Sequence, residues 1–240
     1  MKNKFDAIIF DMDGVLVTNN SYCLAIQKTV ETLLWETRNI KQRVTTDDIA
    51  AMKRITGFNN DWDTSYALIE LLGNNVSIDE FSAKVTSITP SIRLSAAYQT
   101  VKNVFQNYYL GNNFDGFIRE EVLLIYLGLL KQLSKKYKLG IATSRPKAEA
   151  LFAAKYLKLS PTYIPFGSIV TKEDTKREKP YHDHLLEAKC RIAARNPVYV
   201  GDTINDVIAA KEADMKSIFV GSQQLGDKQI QNINQLMEVI

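Results

Sequence analysis

The spacing of apolar positions changes character twice along the chain. It opens on a short unbroken run, Ala7-Ile8-Ile9-Phe10, closed by the turn-forming Asp11-Met12-Asp13-Gly14. A run that short predicts a strand buried on both faces, as in a parallel sheet. Residues 18–115 then read as helical. Tyr22, Ile26, Val30, Leu33 and Leu34 form a stripe at helical spacing with Ser21 as its expected N-cap, and further helices are expected over residues 46–55, 64–72, 78–88 and 92–110. From Arg119 onward helix and strand alternate. The pattern predicts a helix to Leu133, a strand over 139–142 and a helix opened by Pro146. Strand-like stretches follow at 163–166 and 168–170, then a helix over 181–195 and strands at 198–200 and 217–220.

Strands alternating with helices imply right-handed crossovers and a doubly wound parallel sheet. The first strand belongs to that sheet, so the expected organisation is one α/β domain, residues 1–17 and 116–240, interrupted by an all-helical cap domain at 18–115. The polar, turn-prone stretches 18–20 and 112–116 are the expected hinges, and a helical module so tethered is placed to act as a lid.

Composition narrows the function classes. The 240 residues are 45% hydrophobic and 24% charged, as in ordinary globular proteins. The net charge of +3 and the interrupted basic runs at 135–138 and 172–179 lack the clustered footprint of a nucleic-acid surface. Cys23 and Cys190 stand far apart with no Cys or His at metal-ligand spacing, and are expected as free core thiols. No run of 18 apolar residues and no signal-peptide core occurs, so a cytoplasmic protein without membrane spans is expected.

The chemistry-bearing residues fall at predicted strand ends, where open α/β sheets bind ligands. Asp11 and Asp13 leave the first strand, and the turn at Gly14 can bring both over one pocket, one acid to attack and the other to shuttle a proton. Thr143-Ser144 offers hydroxyls and helix-start N–H groups to an anion. Lys179 supplies a point charge ahead of a helix, and Gly201-Asp202-Thr203-Ile204-Asn205-Asp206 adds two acids. Taken one at a time, each has an ordinary structural explanation as a loop acid, strand terminator or helix cap. Those explanations do not account for all four at one sheet edge. His182 and His184, at the start of a helix with no further ligands nearby, read as surface or capping residues.

In that order and spacing, Asp11-Met12-Asp13-Gly14, Thr143, Lys179 and Gly201-Asp202 to Asp206 resemble the four motifs of the haloacid dehalogenase-like (HAD) superfamily, in its phosphoglycolate-phosphatase-like group with a helical cap. The resemblance covers essentially the whole chain. It implies a Rossmann-like core with an inserted helical cap and a phosphatase acting on a small phosphorylated metabolite through an aspartyl-phosphate. Asp11 would be the nucleophile and Asp13 the acid and base. Mg²⁺ would be held by Asp11, the main-chain carbonyl of Asp13 and Asp202, with Asp206 supporting that shell through water. Thr143, Ser144, Lys179 and the N–H groups after Asp11 would hold the phosphoryl oxygens. The second proline common after the lysine-proline pair is replaced here by the His182 region. Lys53, Arg54, Asn59, Asn60 and Trp62, from a polar-aromatic cap stretch, and Arg145 are candidate substrate contacts. A phosphomutase using the same intermediate and a catalytically silent phosphate-binding module are the alternatives. A dehalogenase needs neither the second acid nor the metal cluster, and a transport ATPase needs membrane spans.

Overall fold

The computed structural model describes residues 5–55, 58, 60–84 and 87–240. The chain divides into two units, Met1–Thr18 with Val122–Ile240, and Asn19–Glu121. The second boundary thus falls later than residue 115. The 3₁₀ turn Phe117–Glu120 packs on the first helix of the helical unit, and the carboxylate of Glu121 accepts hydrogen bonds from Ser21 (3.0 Å) and Tyr109 (3.1 Å), which tie the segment to that unit.

The first unit begins with β1 (Ala7–Phe10). The helical unit follows with α1 (Asn20–Arg38), α2 (Thr46–Arg54), α3 (Asp61–Gly73), α4 (Ile78–Lys84), α5 (Pro90–Arg93) and α6 (Ala96–Tyr109). The first unit then resumes with α7 (Leu127–Lys136), β2 (Lys138–Ala142), α8 (Lys147–Tyr156), β3 (Ile169–Val170), α9 (Asp183–Arg191), β4 (Pro197–Gly201), α10 (Ile204–Glu212), β5 (Lys216–Val220), β6 (Lys228–Ile230) and α11 (Leu236–Val239).

Among the described residues the strands form one parallel sheet in the order β3-β2-β1-β4-β5-β6. β1 is central because both its faces are apolar. Ile8 and Phe10 enter a core with Leu139, Ile141, Val198 and Val200, while Ala7 and Ile9 enter another with Ala142, Leu185, Tyr199 and Ala209. This is the two-residue alternation of a strand covered on both sides. The chain winds outward from β1 through β2 to β3 and in the other direction from β4 through β5 to β6. The winding reverses between β1 and β4, and the crevice at their C-terminal ends is where such folds bind ligands. Asp11 and Asp202 are the first residues past those two ends.

Several local expectations need correction. The helix expected over 119–133 starts only at Leu127, because residues ahead of it pair with the loop after β1: Leu124 N–H donates to Leu16 O (2.9 Å) and Thr18 N–H to Val122 O (3.0 Å). The strand expected at 163–170 is reduced to Ile169–Val170, the two residues that pair with Ile141 and Ala142. The helix expected over 92–110 is two helices, since Ser95 caps α6 by accepting from Tyr98 N–H (3.2 Å). Ser21 lies within α1 rather than capping it, and its hydroxyl serves Glu121. The sequence pattern missed β6, an edge strand of three residues. Cys190 is exposed and Cys23 half-buried rather than both being in the core. His184 is fully buried beside the Thr175 hydroxyl (3.2 Å), and burial, with the Lys179 charge, holds its imidazole below the ordinary range. No helix among the described residues is long and apolar enough to cross a membrane.

Candidate active site

The loop after β1 is built by hydrogen bonding. Asp11 N–H donates to Val200 O (2.8 Å), prolonging the ladder by one residue, and the Asp11 carboxylate accepts from Met12 N–H (2.8 Å). Gly14 then turns the chain at φ +70°. A Cβ there would lie 2.0 Å from Asp202 Oδ2, so glycine is required both for the turn and for the approach of Asp202. Gly14→Ala is expected to displace the Asp202 carboxylate, since the added Cβ cannot share its place.

At the end of β4, Thr203 and Asp206 form a capping box. Asp206 Oδ2 accepts from Thr203 N–H (3.0 Å) and from the Thr203 hydroxyl (2.6 Å). Gly201 allows this close packing, since a Cβ there would meet Asp206 Cβ at 2.3 Å. Lys179 arrives from the segment after β3, which a second capping box fixes, with Asp174 accepting from Thr171 N–H (2.8 Å) and from the Thr171 hydroxyl (2.7 Å). Arg191 holds Asp174 from the other side (3.0 Å).

The pieces meet around a buried ammonium. Lys179 Nζ lies 2.8 Å from Asp11 Oδ2 and 2.7 Å from Asp206 Oδ1, and donates to the Tyr199 hydroxyl at 3.1 Å. Tyr199 in turn donates to Asp206 Oδ1 (2.8 Å). Both oxygens of Asp206 are therefore occupied by protein donors, which suits a supporting role better than direct ligation. Burial pushes the Asp206 carboxyl up, but the Lys179 charge and the bonds from Lys179, Thr203 and Tyr199 outweigh it and hold it below the ordinary range. Asp11 goes the other way. Burial raises it well above the carboxylate range against the pull of Lys179, and the charges of Asp206 and Asp202 raise it further. Burial and the charge of Asp206 push Asp202 up to about 7.

Besides burial, the acids act on one another. Among the described residues Asp11, Asp202 and Asp206 each offer an oxygen within 4.8 Å of the others, and Lys179 neutralises only one of the three charges. The remaining two negative charges on hard oxygen ligands, one set at the sheet's switch point, fit a small divalent cation such as Mg²⁺.

Other expected site residues sort themselves by unit. Thr143 follows β2 directly; it is buried, and its hydroxyl accepts from Arg145 N–H (3.2 Å). Ser144 beside it is half-buried. Arg145 is 3% exposed and its guanidinium holds Asp13, with Nε donating to Oδ2 at 2.8 Å and Nη2 to Oδ1. The candidate substrate contact Arg145 is thus a buried partner of the second acid. Lys53, Arg54, Asn60 and Trp62 lie in the helical unit, and three of them have local partners. Lys53 pairs with Asp61 (2.6 Å), Asn60 caps α3 through Trp62 N–H (2.9 Å), and Lys102 sits over the Trp62 ring at 4.2 Å. Arg54 is exposed. Asn59 lies outside the described residues. Sequence reasoning missed Tyr199, whose signal was a tyrosine inside a fully buried strand, where a hydroxyl must find a partner.

Comparison with known proteins follows this geometry. A model of the haloacid dehalogenase-like hydrolase family matches residues 125–220. An imidazoleglycerol-phosphate dehydratase of Phytophthora nicotianae is 29% identical over 217 residues, covering 89% of this chain; the chain spans only 42% of that protein's length. A phosphoglycolate phosphatase of Shigella dysenteriae is 27% identical over 236 residues, covering 90% of this chain and 82% of its own. Among solved structures, a phosphatase from Thermococcus thioreducens superposes with a TM-score of 0.75 at 24% identity, over 96% of this chain and 97% of that one. The family match falls on the strand ends that bring Thr143, Lys179, Asp202 and Asp206 to the crevice beside Asp11, and over that stretch the chain is similar to haloacid dehalogenase-like hydrolases.

Proposed function

We propose that the chain is a Mg²⁺-dependent phosphatase that hydrolyses a small phosphomonoester through an aspartyl-phosphate on Asp11. The observation that carries this reading is the buried Asp11 carboxylate at the end of β1, 2.8 Å from Lys179 and clustered with Asp202 and Asp206. The similarity to a phosphoglycolate phosphatase and the phosphatase fold neighbour agree with it.

Asp11 attacks phosphorus, forming an Oδ–P bond as the P–O bond to the alcohol breaks, and Asp13 gives that oxygen a proton. In the second half Asp13 takes a proton from the water that attacks phosphorus, the Asp11 Oδ–P bond breaks, and inorganic phosphate leaves. An anionic nucleophile nearing an anionic phosphate is opposed by about 4 kcal/mol per charge pair at 4 Å and an effective dielectric of 20. Lys179 offsets part of that repulsion, and the Thr143 and Ser144 hydroxyls with the N–H groups after Asp11 orient the phosphoryl oxygens. Asp11, the Asp13 carbonyl and Asp202, supported by Asp206, would hold Mg²⁺, which supplies the rest of the charge neutralisation.

The test combines activity and stability. Chelation with EDTA is expected to abolish hydrolysis of an aryl phosphate, and Mg²⁺ to restore it. Because Mg²⁺ would bind the folded state at a site carrying two uncompensated charges, it should also raise the melting temperature, by about 2.7 kcal/mol of stability at a hundredfold excess over its dissociation constant. Unchanged activity and melting after chelation would remove the metal from the mechanism.

A further inference from the structure

The chain folds back on itself after the first helix of the helical unit. α1 ends against Asn39, which takes the left-handed conformation (φ +55°) and donates its N–H to Leu34 O and Trp35 O. Ile40 N–H then donates to Leu34 O (3.1 Å). The chain beyond returns beside α1, where two helix side chains hold it: Gln27 Nε2 donates to Val44 O (2.9 Å), and Glu31 Oε1 accepts from Val44 N–H (3.1 Å). Gln27, Glu31 and Trp35 are four residues apart and so share one stripe of the helix. The first two fasten the returning chain, while Trp35 stays 55% exposed. Between helix and returning chain lies a cleft of about 680 Å³, lined by this stripe with Lys28, Lys41 and Arg43. Small-molecule sites have such volumes, roughly 300–1,000 Å³.

Two features of the lining point to a ligand. Among the described residues the Trp35 indole has no ring contact and its N–H no partner, and Lys41 and Arg43 have no ion pair. Other cations of the helical unit are engaged, Arg38 by Glu70 (2.5 Å) and Lys53 by Asp61 (2.6 Å). The acid of the cleft, Glu31, is taken up by Val44 N–H and, at 3.6 Å, by Lys28. Exposed lysines alone are ordinary. An uncovered indole is less so, because a packed one removes about 150–250 Å² from water.

We propose that this cleft binds a nucleoside polyphosphate, with its base stacked on Trp35 and its phosphates paired with Lys41 and Arg43. An inorganic anion would leave the indole bare, and an uncharged ring would leave both cations without a counter-charge. A ligand with a flat ring at one end and contiguous negative charge at the other meets both. Every base offers a π-face to the indole, and phosphate oxygens suit both the guanidinium fork and the ammonium point charge. One indole and two free cations provide for a single nucleotide, and the chain's small net charge of +3 does not provide for a longer strand. The cleft shares no residue with the site around Asp11, so binding here is a second activity of the helical unit.

The chain holds two tryptophans, Trp35 and Trp62, so Trp62→Phe leaves Trp35 as the sole indole reporter. Its fluorescence should be quenched saturably by the β,γ-methylene analogue of ATP in the millimolar range or below. EDTA is present throughout, so that no turnover consumes the probe and the uncompensated acids around Asp11 repel it. Calorimetry on the full chain then compares the analogue with adenosine and with inorganic triphosphate. Each fragment should bind at least about tenfold more weakly, because it loses the advantage of two linked contacts. Trp35→Ala should weaken the analogue by roughly 5- to 150-fold, the scale of one base–aromatic stack, and leave inorganic triphosphate unchanged. Trp35→Phe should keep most of the affinity. Lys41→Gln combined with Arg43→Gln should bring the analogue to the affinity of adenosine. All three positions are exposed, so these variants keep the fold. Absence of saturable quenching would overturn the proposal, as would an analogue affinity unchanged in Trp35→Ala or inorganic triphosphate binding as tightly as the analogue. A single-stranded oligonucleotide binding more than about tenfold tighter than the analogue would also overturn it, in favour of a nucleic-acid track.

Discussion

Asp11→Asn is expected to lower kcat by at least about 10⁴-fold, the scale seen when a catalytic nucleophile is deleted. The amide is nearly isosteric with the carboxylate, but Asp11 meets Lys179 with Oδ2 and Met12 N–H with Oδ1, so the single amide oxygen keeps only one of these contacts. What it lacks is the anionic oxygen that forms the bond to phosphorus. Its effect on stability should be small. Burial and the charges of Asp206 and Asp202 raise Asp11 well above the carboxylate range, which means that its ionised form is disfavoured in the fold. Removing that charge offsets the lost contact, and Lys179 keeps Asp206 as its partner, so the metal-free protein should melt close to wild type while the stabilisation by Mg²⁺ shrinks. Thermal melts with and without Mg²⁺, beside the rate measurement, separate loss of chemistry from loss of fold.

Lys179→Met is expected to produce the largest loss of stability of any single change at the site. Methionine keeps much of the volume but leaves Asp11 and Asp206 buried without their ammonium, now 2.8 and 2.7 Å away. Breaking a buried pair from one side costs about 3–5 kcal/mol, and a protein of this size then melts roughly 6–20 °C lower. The Tyr199 hydroxyl, which donates to the same Asp206 oxygen, is too weak a donor to replace a full charge. Mg²⁺ should recover part of the melting temperature by balancing the acids. It should not recover activity, because the ammonium beside the nucleophile is still missing. Circular-dichroism melts and aryl-phosphate assays on the same samples check both outcomes.

The site was legible where chemistry coincided with a buried strand. Ala7-Ile8-Ile9-Phe10 and Val198-Tyr199-Val200 are short apolar runs that read as doubly covered strands, and they are neighbours at the centre of the sheet. The acids that follow them therefore had to meet. Lys179 was legible only through the motif pattern, since in a run of alternating charges nothing local distinguishes the buried lysine from exposed ones. The burial of Arg145 was not legible for the same reason: a charge in a turn is ordinarily solvated, and its partner Asp13 is 132 residues away in sequence. Helix ends were poorly legible because they depend on single capping contacts, as at Ser95, or on pairing with distant backbone, as for the residues ahead of Leu127. β6 escaped because three residues at a sheet edge carry too little alternation to register.

The central claim is that phosphorus becomes covalently attached to Asp11. Rapid mixing of the Mg²⁺-loaded enzyme with a radiolabelled phosphate ester, acid quench within the first turnover and peptide mapping tests it directly. The account predicts label on the peptide containing Asp11, rising and then decaying as inorganic phosphate appears. Release of phosphate at the full rate with no label on Asp11 at any time would contradict it.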